Sequence, residues 1–338
     1  MHHFTALFRK LALGLAACLA LAGTAQYVVA ADCPPPVQMP TAEQFQKLQA
    51  EAVDRGFLWK ISKGGHDSWL YGTVHVGKAD WIMPGPQVKA ALLSSQTIAL
   101  EMDPLDPEIQ KKIASLVTKS AGKIPESLKP RVKKQMDAVC MPEAAMSKIH
   151  PAMLMVTLEL LSVRPDGLEG DYAVEGMLSG VGHNTGKEVK SMETPELQMQ
   201  ALFGLDGVVK PKMITDALES LESGKGRRIA NRLAQAWAQS KIDEMESYAS
   251  WCDCLNTADE RAEMKRMLDD RNPGLADSID ALHRQGNMVF AAVGSLHMVG
   301  KIGLPALLKQ RGYEVTAIPF NPSIQNQAKA TPPATAVQ

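Results

Sequence analysis

Two histidines stand three residues after a glycine, each behind an apolar run: Gly72-Thr73-Val74-His75 after Trp69-Leu70-Tyr71, and Gly294-Ser295-Leu296-His297 after Met288–Val293. The carboxyl end of a buried strand is where α/β folds gather ligand and catalytic groups, because the loops there converge on one rim. Glycine permits close approach of another group, and the hydroxyls of Thr73 and Ser295 can orient a ligand or cap the turn. Glu101 closes the apolar run Ile98-Ala99-Leu100, where a carboxylate is costly unless it is paired, metal-bound or at the solvent rim. Glu193 lies between a short extended segment and the helix start Thr194-Pro195, so it either caps that helix or joins the same site. Neutral imidazoles with a carboxylate are the ligand set of hydrolytic Zn, Mn, Co or Fe centres. Without a metal, the same groups can share acid-base work on an attacking water. A single ion with bonds of about 2 Å requires His75 and His297 to lie within about 12 Å of each other.

The surrounding pattern must bring these distant residues together. Thr41 and Gln44 form a capping box at the start of a helix over 41–55. Residues 57–61 and 69–71, separated by a glycine turn, read as a β-hairpin, with His66 a solvated loop residue. Further strands are expected at 97–102, 188–192, 288–293 and 313–318, with a helix at 305–310. Apolar residues recur at helical spacing through 106–285. The expected fold is therefore mixed α+β. A central sheet is made by the N- and C-terminal segments and wrapped by a largely helical middle, in one domain over 31–320, with a disordered tail at 321–338.

The 338 residues carry 36 Lys and Arg against 37 Asp and Glu, a formal charge of -1 that offers no electrostatic footprint for nucleic acid. The low aromatic content, 5%, argues against a sugar-stacking groove. Arg9 and Lys10 precede an apolar run that ends in small residues, predicting a cleaved signal peptide over 1–30 and a periplasmic or secreted protein with no membrane span in the mature chain. Leu15-Ala16-Ala17-Cys18 keeps a lipoprotein anchor at Cys18 open as an alternative. Export leaves Cys33, Cys140, Cys252 and Cys254, an even number suited to disulfides. A bond within Cys252-Asp253-Cys254 closes a very tight ring, so Cys33 and Cys140 are each expected to bond one member of that pair. A C-x-C redox or copper site is the alternative.

The segments LYGTVHVGKADW (70–81), IALEMD (98–103), SMETPELQMQAL (191–202), DDRNPGLADSI (269–279) and FAAVGSLHMVGKIGLPALLKQRGYEV (290–315) resemble the TraB/GumN/PrgY family, whose animal relatives include the Tiki membrane proteases. The resemblance implies a fold like that of erythromycin esterase and the haem-binding ChaN lipoproteins. It also implies a divalent-metal site, with Mn, Co or Zn, that hydrolyses peptides or small molecules. Residue by residue, it makes His75, Glu101 and His297 metal ligands or catalytic groups, with Gly72, Thr73, Gly294 and Ser295 in support. Glu193 matches the family's L-E-T glutamate, with Met192 in place of the leucine, and Arg271 and Asn272 match its R-N pair. Arg271 either clamps a substrate carboxylate or oxyanion, or bridges charges at a helix end. The rival function is a non-catalytic periplasmic protein that sequesters a peptide signal, haem or metal in the same cleft. The Met residues, including Met153 and Met155, read as core filling, and His150, His183 and His283 as surface or capping residues.

Overall fold

The fold is described from a computed structural model for residues 33, 36–119, 123–204 and 209–320; the expected signal peptide over 1–30 and the expected disordered tail over 321–338 lie outside the described residues. Phe57–Lys63 (β1) and His66–Thr73 (β2) form the expected hairpin. Its two-residue turn, Gly64-Gly65, has φ of +65° and +85°, a pair of values that side chains resist and that matches the twist of the strands. Thr97–Leu100 (β3), Glu188–Ser191 (β4), Val289–Gly294 (β5) and Glu314–Ile318 (β6) complete a six-stranded sheet in the order β4-β3-β5-β2-β1-β6. β4, β3, β5 and β2 run parallel, and β1, inside the β6 edge, is antiparallel to both β2 and β6. The two ends of the chain thus meet in one sheet, with β4 supplied by the middle.

Every residue of β5 is buried, as a strand covered on both faces requires. Its side chains alternate between two cores. Phe290 and Ala292 join Ile98, Leu100 and Tyr71 on one face, under the helices Pro86–Ser94, Val174–Thr185 and Lys225–Ala238. Val289, Ala291 and Val293 join Leu70 and Ala99 on the other, under Asn272–His283 and Leu304–Gln310. A third cluster, with Val132, Met136, Leu154, Met155, Leu158 and Leu218, gives the helical middle a core of its own. Among the described residues, no helix is long and apolar enough to cross a membrane.

Two sequence expectations are corrected here. The disulfides are Cys33–Cys140 and Cys252–Cys254, not crossed between the pairs. The tight ring closes because Asp253 adopts the left-handed region, φ +51°, which brings the two Cα atoms to 5.1 Å. His66, His150 and His283 are not solvated surface groups. His283 donates from Nε2 to the Lys63 carbonyl at 2.9 Å, accepts at Nδ1 from Ser68 Oγ at 2.9 Å, and stacks on His66 at 3.8 Å. His66 is held in turn by the His283 carbonyl, 2.7 Å from its Nε2. His150 is buried against Phe203, and among the described residues neither of its ring nitrogens has a partner. Those partners lie far away in sequence, so helical spacing concealed them.

Trp237 ties the helical middle to the sheet by donating from Nε1 to the Gly72 carbonyl at 2.8 Å. Trp237→Phe leaves that buried carbonyl unpaired, and a loss of about 1–3 kcal/mol in urea unfolding is expected. Burial lowers the pKa of both His150 and His283. A histidine whose folded pKa lies below its unfolded value favours the folded state when neutral, and that stability is lost as pH falls below about 6.5. Unfolding midpoints measured between pH 7 and 5 should therefore fall. His150→Phe removes an unpartnered polar ring, so it should leave the pH 7 midpoint unchanged or higher and flatten part of the acid decline.

Candidate functional site

Because β4, β3, β5 and β2 are parallel neighbours, their carboxyl ends form one rim. Glu193, Glu101, His297 and His75 lie one to three residues beyond the ends of those strands, in that order. The register pairs Thr73 with Gly294 and Leu100 with Ser191, so the four loops leave the sheet at similar height. Gly294 lies at the centre. A Cβ there would stand 3.3 Å from Glu101 Oε1, 3.6 Å from His75 Nε2 and 3.7 Å from His297 Cδ2. The two G-x-x-H turns are also tied directly, Ser295 Oγ donating to the Thr73 carbonyl at 2.8 Å.

Arg271 organises the cluster. It follows a π-helical turn, Lys265–Asp269, that interrupts the helical path, a feature common at functional positions. Its Nη2 donates to Glu101 Oε2 at 2.5 Å and to Glu193 Oε2, and its Nε donates to Glu193 Oε1 at 2.9 Å. Its Nη1 donates to the Met267 carbonyl at 2.9 Å and stands 3.3 Å from His297 Nε2. Gln198 bridges the same two carboxylates, at 3.3 Å and 3.0 Å, and the Gly294 N–H donates to Glu101 Oε1 at 2.8 Å.

Each imidazole is oriented from behind. Asn272 donates from Nδ2 to the Ile302 carbonyl, so its Oδ1 faces His297 Nδ1, 2.5 Å away. Nδ1 is therefore the protonated nitrogen, and Nε2 carries the lone pair. His75 Nδ1 lies 3.0 Å from Glu175 Oε1, which also accepts from Thr73 Oγ1 at 2.5 Å. Glu175 beside it pushes His75 up to about 9, whereas burial pushes His297 down to about 4. Burial alone would raise Glu101, but His297, His75 and Arg271 outweigh it and hold the carboxyl down to about 2. At neutral pH this makes a protonated His75, a neutral His297 and an ionised Glu101.

A cleft of about 890 Å³ opens over the cluster, with His75, Glu101 and Arg271 on its floor and Leu105, Ile109 and Ile113 among its apolar walls. The His75 side chain is 63% exposed and lines this opening. A second cavity of about 920 Å³, beside Ile124 and His150, lies in the helical middle away from these groups. The structure brings together His75, Glu101, Glu193, Arg271 and His297, with Gly72, Thr73, Gly294, Ser295 and Asn272 in direct support. Glu175, Gln198 and the Asp103–His183 pair also belong to the cleft, and no sequence spacing marks them. His183 is exposed, as expected, and also meets Asp103 at 2.6 Å. Among the described residues, no three His, Cys, Asp or Glu side chains already enclose a metal-sized point, because the Arg271 guanidinium sits between the carboxylates and His297.

Two buried carboxylates balanced by one guanidinium leave a large uncompensated charge when that cation is removed. Arg271→Met should cost about 3–5 kcal/mol in chemical denaturation, and adding Glu193→Gln should recover part of the loss.

The fold and site define a mixed α/β protein with an imidazole–carboxylate cleft at the carboxyl rim of a parallel sheet. The chain belongs to the TraB/PrgY/gumN family, whose sequence profile matches residues 57–317. No curated protein and no solved structure matches it.

Proposed function

We propose that the chain is a metal-dependent hydrolase of peptide bonds. The observation that carries this reading is the paired orientation of the imidazoles. Both have Nδ1 tied to a side-chain oxygen, Glu175 or Asn272, and both place their remaining ring edge beside Glu101 around Gly294. Oxygen partners behind metal-ligating histidines set the tautomer and leave Nε2 free to bind. The donor types suit a divalent ion, with His75, Glu101 and His297 as its proposed holders and Mn, Co or Zn as the candidates, and binding one would require His75 to lose its proton and Arg271 Nη1 to leave His297 Nε2. Such an ion would supply a water of lowered pKa and polarise the scissile carbonyl. A neutral His297 and an ionised Glu101 are poor bases at pKa values of about 4 and 2 but are the forms that coordinate metal.

The protein's own groups complete the chemistry. His75 gives up the proton that Glu175 holds on it, so occupancy of the site rises with pH up to about 9. Glu193 and Gln198 keep Arg271 in place. If His297 Nε2 held an ion, the Arg271 Nη1 proton that faces it would be free to hydrogen-bond the substrate carbonyl oxygen, where charge develops during attack. The two disulfides support export into an oxidising compartment through the 1–30 segment.

Protein purified without a histidine tag and loaded with Mn or Co should cleave members of a peptide library, and a chelator should abolish the cleavage. His75→Ala and Glu101→Gln should each lower kcat/KM by about a hundredfold or more with an unchanged circular dichroism spectrum. Asn272→Ala should weaken metal binding about 10–100-fold. Peptide binding by the metal-loaded wild type without turnover would defeat the hydrolase reading in favour of a sequestering protein.

A further inference from the structure

The Val174–Thr185 helix forms one wall of the cleft and presents two carboxylate–imidazole units along it. The first is Glu175 with His75. The second is Asp103 with His183, eight residues further along the helix, a rise of about 12 Å. That separation is too great for one metal ion to serve both.

The hydrogen bonds of the second unit leave it with a defined free face. The Asp103 carboxylate is buried and accepts from Ser179 Oγ at 2.5 Å and from the Leu105 N–H at 3.0 Å on Oδ1. Its Oδ2 faces His183 Nε2 at 2.6 Å, so that nitrogen is the donor. His183 is otherwise 47% exposed and lines the cleft beside Asn184. Asn184 has spent a side-chain N–H on the Gly180 carbonyl at 2.7 Å. The acceptors left at this part of the cleft are His183 Nδ1, while its ring is neutral, and Asn184 Oδ1, beside the second Asn184 N–H. Both accept hydrogen bonds, and a buried negative charge stands behind the first. Ile109 and Ile113, one helical turn apart, also line the cleft and add apolar surface to it.

We propose that His183 and Asn184, backed by Asp103, form a substrate-binding subsite that takes an N–H group of a peptide, either its free α-amino group or a main-chain amide, about two turns along the Val174–Thr185 helix from the Glu175–His75 unit. The proposal deepens the hydrolase reading and rests on it for the position of the reacting bond. The rise between the two units, about 12 Å, equals three or four extended residues at about 3.3 Å each, the length a peptide needs to engage both. The preferred substrate is thus an oligopeptide of at least that length, with apolar side chains toward Ile109 and Ile113. His183 acts as a positioning and specificity residue, not as a catalytic one.

The test compares kcat and KM of the Mn-loaded protein for the pentapeptide Leu-Ala-Leu-Ala-Leu, with free and acetylated amino terminus, and for the dipeptide Ala-Leu, which is too short to reach both sites. In His183→Ala, the kcat/KM ratio of pentapeptide to dipeptide should fall about tenfold, mainly through KM, as for one lost hydrogen bond. His183→Gln offers an amide N–H to Asp103 and an oxygen in place of Nδ1, and should restore most of the ratio. A loss confined to the free-amine pentapeptide identifies the terminal ammonium as the bound group, and a loss with both identifies a main-chain amide. A ratio that His183→Ala leaves intact, or an equal loss for pentapeptide and dipeptide, overturns the subsite. Should no peptide be hydrolysed, the hydrolase reading fails while the subsite is still decided by calorimetry with the same pentapeptide. About tenfold weaker binding to His183→Ala supports it, and equal binding, or none to the wild type, overturns it.

Discussion

The site depends on a single guanidinium shared by two buried carboxylates. Glu101 and Glu193 come from adjacent parallel strands, and without a cation between them their charges would oppose each other in a medium too poorly hydrated to screen them. Arg271 fills that place with three donors, and both carboxylates receive further N–H groups from Gln198, with Gly294 adding another to Glu101. The network fixes the carboxylates and also fixes where His297 must stand, because Nη1 reaches its Nε2. The π-helical turn before Arg271 is the local departure from regular helix that delivers it.

The parallel sheet makes this arrangement possible. Parallel strands need helical crossovers, and those crossovers cover both faces, so the strand bodies become continuous apolar core and the polar groups are displaced to the carboxyl rim. Close approach at the rim requires glycine at 294, since a side chain there would press against Glu101. Trp237, reaching from the helical middle to the Gly72 carbonyl, couples the helical layer to the first G-x-x-H turn. The walls of the cleft therefore belong to the same packing that stabilises the sheet.

Much of this was legible in the amino-acid order. The hairpin, the short strand at 188–191 and the strands at both ends were readable because their apolar content and glycine punctuation are local signals. The grouping of His75, Glu101, Glu193, Arg271 and His297 was also legible, since each ends a strand or opens a helix in a segment of distinctive composition. The histidines were misread for the opposite reason. His66 and His283 take their meaning from each other, 217 positions apart, and His283 also from Lys63 and Ser68, 220 and 215 positions away. The disulfide pairing was misjudged because ring size was weighed without the left-handed conformation of Asp253.

By itself, then, the sequence determined which segments become sheet and helix and which polar residues sit at their ends, because periodicity and turn chemistry act over a few residues. Only the tertiary structure decided that Arg271 stands between the two glutamates, that Glu175 and Asn272 set the tautomers of the two imidazoles, and that a second imidazole lies along the same wall. Those are contacts between side chains whose distance apart is set by sheet order and helix crossing, quantities that no local pattern encodes.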